Sequence, residues 1–203
     1  MKPEKYRMSF TTGGLFRQES LRIAELYANT NDWNEVYKTV LENNVLQART
    51  TSTTKRNYRE ISIRLQTLTK NELDLLIDGT AQEQGYLLWL AVCRRYKFIR
   101  EFAVEVIRER FLTLRYDLNN EDFDAFFNKK AEWHEEVDKI TALSRQKMRQ
   151  VLFKILREAD LLTSGKTINA VILTPRFIRT ISQTTPEDLL IYPTMESELK
   201  GVV

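Results

Sequence analysis

Residues 81–114, "AQEQGYLLWLAVCRRYKFIREFAVEVIRERFLTL", place apolar side chains on several faces of one helical stretch. Tyr86, Leu87, Trp89, Leu90, Val92, Phe98, Phe102, Val106, Ile107 and Phe111 leave little polar surface between them. A helix that is apolar all round must be enclosed by other elements. The alternative, a membrane span, needs about twenty apolar residues. The longest uninterrupted apolar run here is "YLLWLAVC", residues 86–93. The stretch is therefore expected to be a central packing element, nearly continuous as helix, in a chain whose other helices wrap around it.

The flanking sequence supplies those helices. Residues 14–28 carry Phe16, Ile23, Leu26 and Tyr27 on one side. Asp32 is expected to cap "WNEVYKTVLENN", with Glu35 three residues on in a capping-box arrangement, and Trp33, Val36, Tyr37, Val40 and Leu41 recur at helical spacing. After the polar turn "VLQARTTSTT", a third helix is expected over about 54–68. Its Tyr58, Ile61, Leu65 and Leu68 point inward, and Arg56 and Arg59 point outward. Three short helices with the third basic and exposed form a helix-turn-helix-like unit. Thr69-x-x-Glu72 and Thr80-x-x-Glu83 each have the form of a capping box. An acidic helix starts at "NNEDFDAFFNKKAEW" with Phe123, Phe126 and Phe127 turned inward.

The last third couples a helix to a ribbon. "TALSRQKMRQVLFKILREA" places Met148, Val151, Leu152, Ile155, Leu156 and Ala159 on one stripe. "DLLTSGKTINAVILT" follows, with a Ser164-Gly165 turn between short β-rich segments. Thr174-Pro175 and Thr185-Pro186 are helix starts. Helix, helix, then hairpin is the order of a winged helix. The expected fold is mainly α. An N-terminal helix-turn-helix-like domain spans 1–75, a central helical connector 76–130, and a C-terminal winged-helix domain with a short β-hairpin 131–203.

Charge distribution selects the function. Net charge is only +3 across 203 residues. Acid gathers between Asp117 and Asp138, while base gathers at 49–64 and at 145–157, where no acid intervenes. Local basic patches matter to a polyanion more than the total does. With the 148–159 stripe facing the core, Gln146 and Gln150 point outward, flanked by Arg145, Lys147 and Arg149. Cations neutralise phosphate or reach guanine, and glutamine matches the donor–acceptor edge of adenine. Lys166, one residue past the turn glycine, would stand at the wing tip. At the other basic helix, Thr53, Lys55, Arg56 and Arg59 combine a hydroxyl with cations at a helix start, a phosphate-binding composition. These ten residues are the expected contacts to double-stranded DNA.

Other chemistries find little support. The single His134 sits among acids in "AEWHEEVDK" without zinc spacing, and Cys93 is the only cysteine. No phosphate-cradling glycine motif is present. The expectation is a non-enzyme with no cofactor, metal or small-molecule substrate. The start of the chain has no apolar signal region, and with a lone cysteine this points to the cytoplasm, away from membranes. A protein–protein scaffold and a winged-helix transcription regulator are the competing readings.

Four blocks carry a resemblance. "ESLRIAELY", "ENNVLQARTTSTTKRNYREISIRLQTL", "LLWLAVCRRYKFIREFAVEVIRERF" and "SRQKMRQVLFKILREADLL" occur in this order along nearly the whole chain. Together they resemble the BrxA family, small accessory proteins of bacterial BREX phage-defence systems. The resemblance implies a largely helical protein with helix-turn-helix or winged-helix parts that binds double-stranded DNA. It also implies action beside other BREX components rather than catalysis.

Overall fold

The computed structural model describes residues 5–183, 185–195 and 197–198. It is mainly helical. Helices α1 (Arg17–Thr30), α2 (Trp33–Glu42), α3 (Thr51–Leu65), α4 (Lys70–Asp78) and α5 (Ala81–Arg95) follow one another with short turns. Next come α6 (Lys97–Phe102), a π-helical stretch Ala103–Arg108, and α7 (Glu109–Leu112). The remainder is α8 (Asn120–Ala131), α9 (Glu135–Asp138), α10 (Ala142–Glu158), α11 (Pro175–Ser182) and a 3-10 helix Pro186–Ile191.

α5 occupies the centre. Every residue from Gly85 to Cys93 is buried, and α3, α4 and α10 pack on it. The expected continuous helix breaks at Tyr96, whose φ of −121° and ψ of 91° are extended. Tyr96 is itself buried and packs against Phe10. The break turns α6 toward α8, where Phe98 and Phe102 meet Phe126 at 5.1 and 5.3 Å between ring centres. Edge-on aromatic packing of this kind fixes orientation as well as burying area.

Both threonine capping boxes form with both arms, whereas Asp32 caps α2 by accepting from Asn34 N and the expected box with Glu35 is not made. Glu72 then does more than cap. Its side chain is fully buried, and it accepts from Arg94 Nη1 at 2.6 Å and Nη2 at 2.7 Å. Arg94 also donates to the Thr67 carbonyl at 2.9 Å and to buried Asp188 Oδ2 at 2.7 Å. One guanidinium therefore joins the start of α4, the end of α5 and the 3-10 helix. Glu83 plays a similar part: it closes the α5 box and accepts from Thr174 Oγ1 at 2.7 Å. Thr174 in turn caps α11 by accepting from Phe177 N. Burial works against the Glu83 carboxylate, but the donors from Thr174 and Thr80 outweigh it and hold its pKa below the usual range.

The third helix begins at Thr51 rather than near 54. Thr50 Oγ1 accepts from Thr53 N at 3.2 Å, and this cap carries residues 51–54, three of them β-branched threonines, into the helix. The expected hairpin is reduced to an isolated antiparallel bridge, Leu162↔Ile168. A turn with Lys166 at φ 64° precedes that bridge's second side, and Thr163 N donates to Thr167 O at 2.9 Å. Thr167 bridges to Asp117 as well. The pairing ends there because Val171 N donates to Pro193 O, which draws the chain away. Residues 168–173 accordingly do not alternate as one strand: Val171 is buried and Ile172 is 75% exposed.

The first expected helix begins at Arg17 rather than at 14, and the segment before it straps the molecule. Tyr6 N donates to Glu136 at 2.7 Å, and Leu15 N donates to Glu158 at 2.6 Å. Among the described residues no helix is long and apolar enough to cross a membrane.

Two outcomes follow from this packing. Arg94→Met strands the buried Glu72 carboxylate and is expected to cost about 3–5 kcal/mol in urea unfolding; a loss below about 1 kcal/mol would show that the pair is solvated. Cys93 is fully enclosed, and burial pushes its thiol up. It is expected to stay unreactive toward a thiol reagent in the native protein and to react completely in denaturant.

Candidate nucleic-acid interface

α10 is built with two unlike faces. Thr141 caps it, its Oγ1 accepting from Ser144 N at 3.2 Å. Met148, Val151, Leu152, Ile155, Leu156 and, just beyond the helix, Ala159 are all buried as expected. Phe153 is buried too, which widens the apolar face beyond the expected stripe.

The basic residues divide by what they touch. Arg145 donates to Asp124 Oδ1 at 2.8 Å, to the Asp124 carbonyl at 2.9 Å and to Asn128 Oδ1 at 2.7 Å. Its guanidinium also lies 4.7 Å from the Phe127 ring centre. Arg149 donates to the other oxygen of Asp124. Asp124 thus clamps α10 to α8 through two arginines, and its one negative charge leaves the trio at a net +1. Lys147, by contrast, is exposed, and none of the described ion pairs or side-chain hydrogen bonds engages it. Gln146 and Gln150 are exposed beside it.

The structure gathers part of the expected set. Gln146, Arg149, Gln150 and Lys166 line one hollow of about 350 Å³ with Asn120, Phe153 and Arg157. Lys166 Nζ reaches Asn120 Oδ1 at 3.3 Å, so the turn after α10 leans toward the start of α8. The lining holds no carboxylate, cysteine or histidine. Asn120 and Arg157 were not anticipated. Arg157 had a readable signal, since it lies seven residues after Gln150 and returns to the same face. Asn120 had none, because only the fold brings α8 beside the turn.

Thr53, Lys55, Arg56 and Arg59 are on α3 and do not line this hollow. The Thr53 hydroxyl is engaged in the cap, 2.9 Å from Thr50 Oγ1. Lys55, Arg56 and Arg59 are exposed on the outer face of α3, while Tyr58, Ile61 and Leu65 are buried on the inner one. His134 is occupied elsewhere: it lies against Tyr6 with ring centres 4.0 Å apart, and its Nδ1 is 3.1 Å from Glu136.

A family model described as BrxA matches residues 4–185. This chain belongs to the BrxA family. Among BrxA relatives, the BREX protein BrxA of Escherichia coli O9:H4 (strain HS) is 28% identical over 180 residues, covering 88% of this chain and 84% of that protein. The BREX protein BrxA of Bacillus cereus (strain H3081.97) is 24% identical over 166 residues, covering 82% and 83%. A crystal structure of an uncharacterized protein from Magnetospirillum magneticum shares the fold with a TM-score of 0.78 at 18% identity, covering 94% of this chain and 98% of that one.

The division of the cations predicts how their loss is felt. Arg145→Ala removes charge-assisted hydrogen bonds and a ring contact, and is expected to lower stability by about 1 kcal/mol in thermal or urea unfolding. Lys147→Ala is expected to stay within about 0.5 kcal/mol of the unaltered protein. Equal losses would contradict the assignment of Arg145 to the fold.

Proposed function

We propose that this BrxA-family protein is a non-enzymatic accessory protein of a BREX phage-defence system that binds double-stranded DNA along the outer face of α10. The observation carrying this reading is the acid-free hollow in which Gln146, Gln150, Arg149, Arg157 and Lys166 converge. A duplex needs cations for phosphates and bifunctional amides for base edges, and that face supplies both. The order of elements supports a winged-helix reading. Segment 116–118, α8, α9, α10, segment 161–163 and the turn to Lys166 follow in sequence, with bridges Asp117↔Thr167 and Leu162↔Ile168 joining the extended pieces. In this reading α10 enters the major groove and Lys166 meets the backbone beside it. Lys55, Arg56 and Arg59 on α3 form a second, separate contact to phosphate.

A second reading rests on a different surface. Leu114, Tyr116, Ile172 and Met195 are exposed at 66%, 39%, 75% and 37%. A hollow of about 400 Å³ lies among Tyr116, Ile172 and Met195. An apolar patch of this kind suits a protein partner, and other BREX components are the natural occupants. The two surfaces are compatible in one molecule.

The test is a duplex titration at two salt concentrations. Binding is expected to weaken steeply as salt rises, because neutralised phosphates release counterions. Replacing Lys147, Gln150 and Arg157 together by Ala is expected to weaken binding and reduce the slope of log affinity against log salt by about two. All three side chains are exposed, so the variant should melt as the unaltered protein does. Unchanged affinity and slope in the triple variant would remove α10 from the interface.

A further inference from the structure

The first turn of α10 stands clear of the protein. Thr141, Ala142, Leu143 and Ser144 are all exposed, and Leu143 is 78% exposed. A lone exposed leucine is ordinary; the company it keeps is not. At 3.6 residues per turn, Leu143, Gln146, Lys147 and Gln150 fall within a sector of about 100° on the face opposite the buried stripe. Along the axis, Gln146 and Gln150 lie about 4.5 and 10.5 Å beyond Leu143, within three or four base-pair steps.

The chemistry of that sector is selective. A glutamine amide pairs with N6 and N7 of adenine, and an aliphatic side chain packs on the 5-methyl group of thymine. Both features belong to A·T pairs. The groups that read G·C pairs are fewer. Residues 141–157 include no carboxylate to accept from cytosine N4. Of the three arginines of α10, Arg145 and Arg149 are turned onto Asp124, and the exposed Arg157 and Lys147 are assigned to phosphate. We propose that α10 prefers A·T-containing duplex, with Leu143 as the residue that senses the thymine methyl group and Gln146 and Gln150 facing adenine. This rests on the reading of α10 as the groove-entering helix and adds to it a base preference and the residue that sets it.

The experiment uses three duplexes of equal length: alternating dA-dT, alternating dA-dU, which lacks only the methyl groups, and alternating dG-dC. The full-length protein is titrated with each at low salt. The expected order is dA-dT, then dA-dU, then dG-dC. Removing one buried methyl contact should weaken dA-dU against dA-dT by about fourfold, which is about 0.8 kcal/mol. In Leu143→Ala the ratio of the first two is expected to fall to about one. Equal affinity of the unaltered protein for dA-dT and dA-dU would overturn the proposal while leaving DNA binding intact. A ratio that survives in Leu143→Ala would overturn it too, because the methyl group would then be sensed elsewhere or through duplex shape. Failure to bind any duplex would overturn the DNA reading itself, and this inference with it.

Discussion

The buried contacts of Arg94 with Glu72 and Asp188 are the constraint on which the rest of this fold depends. Desolvating a carboxylate is costly unless nearly every lone pair finds a donor. Glu72 satisfies that condition through the Thr69 amide of its own capping box and both terminal nitrogens of Arg94. Arg94 also donates through Nε to Asp188 and through Nη1 to the Thr67 carbonyl. Burial opposes the guanidinium charge, and the two carboxylates outweigh it and raise its pKa. Because Arg94 belongs to the last turn of α5, the central apolar helix can seat in only one axial position. The helices that pack on it, α3, α4 and α10, inherit that position.

Within this frame, α10 separates structure from surface along a single helix. Its inner side fills the core, one flank is clamped to α8 through Asp124, and the outer side is left polar and cationic. The clamp changes how the basic run should be understood. Arg145 and Arg149 are close in sequence to Lys147, yet both guanidinium groups are held on Asp124, whereas Lys147 faces solvent. Proximity in sequence is a poor guide to which cations remain available to a ligand, because partners arrive from elsewhere in the chain.

Much of this was legible before any coordinates. The inward stripe of α10, the inward face of α3 and both threonine capping boxes follow from short-range periodicity and side-chain chemistry, and all are present. What escaped was long-range. The clamp at Asp124, the strap from Tyr6 to Glu136 and the approach of Asn120 to Lys166 join residues 21 to 130 positions apart. No local pattern encodes them. The hairpin was overread because "INAVIL" has strand composition, while Pro193 takes the Val171 amide that a second strand would need. Composition expresses a preference for extended backbone but does not name the pairing partner.

The central claim is that the outer face of α10 and the turn after it meet duplex DNA. Lysine acetylation with and without a short duplex, read by mass spectrometry, tests it directly. Lys147 and Lys166 are expected to be protected by the duplex, while exposed Lys70 on α4 and Lys129 on α8 keep their reactivity. Protection of Lys70 or Lys129 with Lys147 and Lys166 left fully reactive would contradict the account.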